Sequence, residues 1–438
     1  MARNTDISLR NKVIYSIFVR NYSEEGTFKK VEEDLDRIKN LGVDIIWLMP
    51  IHPIGKEKRK GTLGSPYAIR DYRSINPEYG TLEDFESLVD SIHKRGMKCI
   101  IDVVYNHTSP DSVLFSEHPE WFYKKNDGTY GNKVGDWSDI IDLDYSNKEL
   151  WDYQIDTLKM WAETVDGFRC DVAPLVPVEF WEKARSEVAK VKEDCIWLAE
   201  SVEYDFINTM RRQGFSAHSD AELYRAFDIC YDYDIYEDLL NSFTGNGSLS
   251  TYLDALNRQE FIYPENYIKL HFIENHDRIR AHCLAKDSKA FINLTAFLYF
   301  MKGTVLIYNG QEIGDKHNIS LFEKDPVEWK SGNSDNCPEE EKTDIQMLMR
   351  KLYEIKKKEI FRNGFFECRE TEDNVIYAVT ENSKEKLIGL FSLDPNKRSV
   401  KTDIEDGIYK NLIDDSEYRS DSGVIKLNGT PVIIEVNK

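Results

Sequence analysis

Eight short runs rich in β-branched and aromatic residues, most of them followed by an amphipathic stretch, constrain this chain more than any other feature. They fall at residues 13–19, 43–49, 98–105, 165–171, 195–200, 226–230, 268–274 and 304–308. Between the first two, Phe28, Val31, Leu35, Ile38 and Leu41 recur at helical spacing and stop at Gly42, which predicts a helix over 28–40. Residues 81–94 repeat the design, with Thr81 as cap, Asp84 three positions on and Gly96 as terminator. Eight strands interleaved with helices over about 350 residues predict a (β/α)8 TIM barrel. A doubly wound open sheet is the alternative, and it usually shows a glycine-rich phosphate turn after its first strand. Here the first run leads into Asn21-Tyr22-Ser23-Glu24-Glu25-Gly26 instead.

Two departures from the alternation divide the chain. Residues 108–144 follow the third run and are rich in Gly, Asn, Asp and aromatics, including Trp121, Phe122, Tyr123, Tyr130 and Trp137. That is too long for a plain barrel loop and predicts a small inserted domain. After Phe361 the helical period ends and short alternating runs take over, which predicts a C-terminal antiparallel β domain. The expected division is 1–107 and 145–361 for the barrel, 108–144 for the insertion and 362–438 for the β domain.

Composition narrows the partners. Lys and Arg number 57 against 78 Asp and Glu, a formal charge of −21, so phosphate backbones and anionic lipids are repelled. The cluster Lys56-Glu57-Lys58-Arg59-Lys60 reads as a solvated loop, not a binding patch. No nucleic-acid or membrane partner is expected. The first ten residues lack the apolar core of a secretory signal, and the apolar segment 291–308 is broken by Lys302 and Gly303, reading as a buried helix-to-strand passage. A cytoplasmic chain is expected. The seven Cys show no CxxC spacing, and Cys99, Cys170 and Cys230 lie in strand-like runs as reduced core thiols. Aromatic residues make up 12%, which suits stacking on sugar rings without demanding it.

The residues with chemical potential sit at the ends of different runs. Asp102, Asn106 and His107 close the third, Arg169 and Asp171 the fourth, Glu200 the fifth, and His276 and Asp277 follow the seventh. In a barrel those carboxyl ends converge on one face. Singly, an Asp after a strand is more often a cap or turn former, and a lone His more often a structural hydrogen-bonder. Glu200 directly follows the apolar Ile196-Trp197-Leu198-Ala199, where an idle carboxylate would be costly. Three carboxylates, two His and an Arg at one rim are hard to explain as caps.

With these motifs in order the chain resembles the α-amylase family of retaining glycoside hydrolases (glycoside hydrolase family 13). Further similarities are the segment from Gly64 to Tyr72 with Asn76 to Thr81, and the segment from Gly303 to Glu312. The resemblance implies Asp171 as nucleophile, Glu200 as general acid/base and Asp277 as the third carboxylate that grips ring hydroxyls. It also implies Tyr67, His107, Arg169, His276 and Arg280 as substrate-binding residues, with Asp102 as structural support orienting Arg169. The implied partner is an α-glucan oligosaccharide or polysaccharide. No cofactor is required for the chemistry, and a structural Ca2+ is implied only through Asn106, with Asp136, Asp139, Asp142 and Asp144 as further oxygen donors.

The similarity thins beyond the nucleophile. Many relatives carry a sugar-binding Lys-His pair there, whereas this chain continues Val172-Ala173-Pro174-Leu175. Val172 leaves the linkage open. The resulting expectation is cleavage of α-1,4 bonds in maltodextrins. An α-glucosidase, an α-1,6-active or a transglycosylating enzyme stays open within the same chemistry, and a non-catalytic sugar-binding relative outside it.

Overall fold

The structure is a computed structural model describing residues 4–244, 246–329, 339–371, 374–394 and 399–436, with 339–344 described by backbone alone. Eight parallel strands close a barrel: β1 Val13–Ile17, β2 Ile45–Leu48, β3 Lys98–Val103, β4 Gly167–Cys170, β5 Ile196–Ala199, β6 Ile229–Tyr231, β7 Lys269–His271 and β8 Thr304–Tyr308. Each pairs with its neighbours in sequence, and β8 returns to β1 with Val13 opposite Val305. Nearly every strand residue is buried because one face fills the barrel and the other meets the helices. All carboxyl ends therefore open on one rim.

Several elements differ from the sequence expectation. The predicted helix over 28–40 is split into Phe28–Glu33 and Leu35–Asn40 at Asp34, whose backbone sits at φ −103°, ψ 2°. Its carboxylate accepts from Arg37 Nε at 2.8 Å and from the Tyr22 hydroxyl, contacts that hold the break against the apolar periodicity. Strands β6 and β7 are shorter than their apolar runs. The Asp228 carboxylate accepts from Trp197 N at 3.0 Å just before β6, and Glu274 after β7 leaves the sheet to pair with Arg280. The helix Leu82–Lys94 carries the expected capping box between Thr81 and Asp84. The apolar passage resolves into the helix Ser288–Phe300 and β8. A Cβ at the intervening Gly303 would lie 2.6 Å from Lys269 O.

The segment after β3 forms a two-stranded ribbon, His107–Thr108 with Ile141–Asp142, and its excursion between them lies over the rim. Beyond the barrel, two four-stranded antiparallel sheets enclose Val375, Tyr377, Ile388, Leu390, Ile425 and Ile434. Phe391 meets Phe297 and Phe300 at 5.4 and 5.6 Å, which seats this unit against the barrel. Cys99, Cys170 and Cys230 are buried and unpaired; Cys337 lies outside the described residues. Among the described residues no helix is long and apolar enough to cross a membrane.

Candidate active site

Arg169 organises the rim. It projects from β4 into the barrel mouth, fully buried, with its guanidinium 5.1 to 5.6 Å from the rings of Trp47, Tyr67 and Tyr231. Its Nη1 donates to both Asp102 oxygens at 2.9 and 3.1 Å and to Asp171 Oδ1 at 2.7 Å, while Nη2 lies 2.8 Å from Glu200 Oε1. One cation thus touches carboxylates from β3, the end of β4 and the end of β5. Period-two alternation puts Arg169 and Asp171 on the same side of their strand.

The three carboxylates in the cleft are unequally placed. Asp171 and Glu200 side chains are 6% and 10% exposed, and Asp277 is 42% exposed. Burial pushes Glu200 up to about 7 against the pull of Arg169, with Asp171 and Asp277 adding like-charge repulsion. Burial also pushes Asp171 up, to about 6, again opposed by Arg169. Burial acts to raise Asp277 as well, but His276 at 3.0 Å outweighs it and lowers the carboxyl. Between about pH 6 and 7 the proton therefore sits more on Glu200 than on Asp171, with Asp277 ionised. Such a pair can supply an acid and a nucleophile at once.

Tyr67 forms the adjoining wall, with the buried His276 ring stacked behind it. Their rings stack at 5.3 Å and 14°, and the Tyr67 hydroxyl donates to Asp102 at 3.2 Å while standing 2.7 Å from His276 Nε2. Burial opposes charge on His276, but Asp277 raises it overall; His107, buried on the opposite side, is lowered by burial and stays neutral at pH 7. Tyr67, His107, Asp171, Glu200 and Asp277 line one cleft of about 1070 Å³. Asp102 and Arg169 lie beneath it.

Arg280 does not join them, which corrects its expected role as a substrate-binding residue. It is 1% exposed, Nη1 donates to Glu274 at 2.6 Å, and Nε and Nη2 donate to the carbonyls of His317 and Asn309, both at 3.0 Å. Two residues earlier Arg278 lines the cleft, pairs with Glu203 and lies 4.6 Å from the Tyr233 ring. Sequence reasoning missed Arg278. The available signal was the alternation Arg278-Ile279-Arg280 around an Ile that is half exposed.

Asn106 does not sit in an oxygen cage suited to Ca2+. Its amide Nδ2 faces Asp142 Oδ1 at 3.4 Å and His107 Nδ1 at 3.2 Å. Asp142 also accepts from Lys133 N at 2.8 Å, and Asp139 pairs with Lys60 at 3.1 Å. Asp144 accepts from Ser146 N in a local turn. Among the described residues no three His, Cys, Asp or Glu side chains gather as a metal site. Lys60 was also underestimated by sequence. Lys56, Glu57 and Lys58 are exposed as expected of a solvated loop, but Lys60 borders the cleft.

A parallel barrel with a carboxylate pair and an arginine at its carboxyl rim is an arrangement able to cleave a glycosidic bond. Residues 14–138 and 115–365 match the alpha amylase catalytic domain, and 367–434 match the bacterial alpha amylase C-terminal domain. The chain belongs to the alpha-amylase family and is a glycoside hydrolase. It is similar to the crystal structure of an alpha-amylase from Lactobacillus plantarum, with 46% identity, TM-score 0.93, and 98% of this chain and 100% of that one covered. A noncanonic maltogenic alpha-amylase, AmyB from Thermotoga neapolitana, is 34% identical at TM-score 0.85 over 98% and 99% of the two chains. Alpha-amylase MalA of Haloarcula japonica is 28% identical over 70% of this chain, which spans only 44% of that relative's length. Maltosyltransferases also match, among them one of Rhodospirillum rubrum, 30% identical over 66% of this chain and 42% of its own.

Proposed function

We propose that the protein is a retaining α-glucan hydrolase that cleaves α-1,4 bonds in maltodextrins through a covalent glycosyl-enzyme intermediate. The observation that carries this reading is the shared guanidinium of Arg169, in contact with both Asp171 at 2.7 Å and Glu200 at 2.8 Å. Two carboxyl groups bridged by one cation stand next to each other across the cleft, as an acid and a nucleophile acting on one bond require.

Asp171 attacks the anomeric carbon as Glu200 gives its proton to the departing glycosidic oxygen. Arg169 keeps Asp171 ionised for that attack. Once deprotonated, Glu200, still accepting from Val172 N at 2.7 Å, is ready to take a proton from the incoming water. Water then replaces the Asp171 ester at the same carbon, with net retention. Asp277, the most accessible of the three carboxylates, grips ring hydroxyls as positive charge develops, while Tyr67, backed by His276, and neutral His107 hold the cleaved sugar. Arg278 borders the other flank. The named similarity to a maltogenic enzyme and to alpha-amylases supports a short maltodextrin as substrate.

A second reading, transfer of the glycosyl group to a sugar instead of water, is favoured by the apolar residues beyond Val172. Incubation with maltoheptaose, pullulan and isomaltose, followed by chromatography and NMR of the first-formed anomer, separates the readings. Shortened α-anomeric products support hydrolysis, and lengthened chains support transfer. First-formed β-anomers, no turnover of any substrate, or full activity in Asp171→Asn would overturn the mechanism.

A further inference from the structure

Lys269, the first residue of β7, is fully buried and does not line the cleft. Its ammonium has three partners: the Asp220 carboxylate, Asp234 Oδ1 at 2.7 Å and the Tyr231 carbonyl at 3.1 Å. Burial opposes the charge, but the two carboxylates outweigh it and keep Lys269 protonated. A buried ion cluster is a weak source of net stability compared with an apolar filling of the same volume. What it supplies is fixed geometry at three points.

Those points converge on the residue after Glu200. The ladder between β5 and β6 ends with Ala199 opposite Cys230, one residue short of Glu200. Ser201 N then donates to Ala199 O at 3.0 Å, closing a three-residue turn with Glu200 at its centre. The Ser201 hydroxyl, fully buried, donates to the Tyr231 carbonyl at 3.0 Å and stands 3.3 Å from Asp220 Oδ2. Both groups are partners of Lys269. From the same anchor the Tyr231 ring lies 5.5 Å from the Arg169 guanidinium, and Asp234 follows Tyr233, which lines the cleft. Asp234 is held further by Gln259 Nε2 at 3.1 Å and by the Tyr263 hydroxyl at 2.8 Å.

We propose that Lys269 and Ser201 are positioning residues for the acid/base: the ammonium fixes Asp220 and the Tyr231 carbonyl, these fix Ser201, and Ser201 sets the turn that aims Glu200 at the departing oxygen. This rests on the reading of Glu200 as the proton donor. Proton transfer needs the carboxyl within hydrogen-bond reach of the glycosidic oxygen, and a displacement of about 1 Å slows it strongly. Asp171 follows β4 and is held by Arg169, so its attack depends less on this cluster.

The test compares two substrates that differ in how much they need the acid. Phenyl α-maltoside needs a proton on its leaving oxygen, whereas dinitrophenyl α-maltoside departs without one. Ser201→Ala removes the hydroxyl and strands no charge, since Asp220 keeps Lys269. It is expected to lower kcat/KM about tenfold on the phenyl substrate, the scale of one lost hydrogen bond, and less than about threefold on the dinitrophenyl substrate. Lys269→Met combined with Asp220→Asn removes the anchor while Asp234 keeps Gln259 and Tyr263, and it should widen the same split at least as much. Asp220→Ala, which leaves Lys269 paired with Asp234, replaces that double variant if it does not fold. A residue that merely stabilised the barrel would slow both substrates alike. Equal losses on the two maltosides, or no loss on the phenyl one, in either variant overturn the assignment. Wild-type protein that cleaves neither maltoside overturns the hydrolase reading itself, which keeps the two failures apart.

Discussion

The backbone N–H of Val172 donates to Glu200 Oε2 at 2.7 Å, so the peptide that leaves Asp171 also holds the carboxylate opposite. To aim that N–H, Val172 adopts φ 40°, ψ 44°, a left-handed conformation that costs a β-branched residue on the order of 1 to 3 kcal/mol. Its 8% exposed side chain, packed with Leu175 and Ile207, holds the strain in place. With Oε1 at Arg169 and Oε2 at Val172, Glu200 is oriented at both oxygens before substrate arrives.

A bell-shaped pH profile follows from the two carboxyls. Asp171, raised to about 6 chiefly by burial, must be ionised, and Glu200, raised to about 7 chiefly by burial, must hold its proton. Activity should therefore rise through about pH 6 and fall through about pH 7, read as kcat/KM on maltoheptaose. Glu200→Gln should lower kcat at least about a hundredfold with a natural substrate, and on α-maltosyl fluoride, whose leaving group needs no proton to depart, the wild type's kcat/KM should lack the alkaline limb. An unchanged alkaline limb would reassign that proton.

The same carboxyl links stability to pH. Its folded value lies above the ordinary glutamate range, so between about pH 4.5 and 7 the native state holds a proton that the unfolded chain releases. Stability is thereby lost as pH rises through that window and levels off above it. Glu200→Gln, neutral throughout, should gain Tm relative to wild type on going from pH 5 to pH 8, by at most a few kcal/mol of stability. A Tm difference that stays constant across that range would contradict the buried, proton-holding Glu200.

Much of this was legible because barrel topology converts strand ends into one site. Asp102, Arg169, Asp171 and Glu200 follow directly from three apolar runs and the rule that their carboxyl ends converge. What stayed hidden was set by specific side-chain pairings that hydrophobic spacing does not encode. Asp34 breaks its helix because Tyr22 and Arg37 hold its carboxylate, and Lys60 leaves its basic loop because Asp139 lies opposite. The choice between Arg278 and Arg280 depended on which one Glu274 captured. No local periodicity records such pairings.

Those two arginines should part in mutagenesis. Arg280→Ala strands the buried Glu274, a loss of about 3 to 5 kcal/mol, so Tm should drop sharply. Arg278→Ala removes a partly exposed pair at the cleft border, 25% and 27% exposed, and should lower Tm much less than Arg280→Ala does. Its effect should appear in KM for maltotetraose more than in kcat. Thermal melts and steady-state kinetics on both variants check the assignment; an Arg278→Ala protein as unstable as Arg280→Ala would refute it.

Stability of the inserted segment should depend on Lys60 and not on calcium. Asp139 and Asp142, the acids nearest the rim of the insertion, already meet Lys60 and Lys133, and Asn106 turns its amide donor toward Asp142. A divalent cation would have to displace those donors. EDTA is accordingly expected to leave activity and Tm unchanged, while added Ca2+ raises neither. Lys60→Met keeps the apolar stem but frees the Asp136 carbonyl and leaves the Asp139 carboxylate without its ammonium partner. The turn carrying Trp137 should then loosen, seen as faster proteolysis within residues 124–137 and weaker maltotetraose cleavage. A chelator-induced drop in Tm, restored by Ca2+, would show instead that a metal holds the insertion.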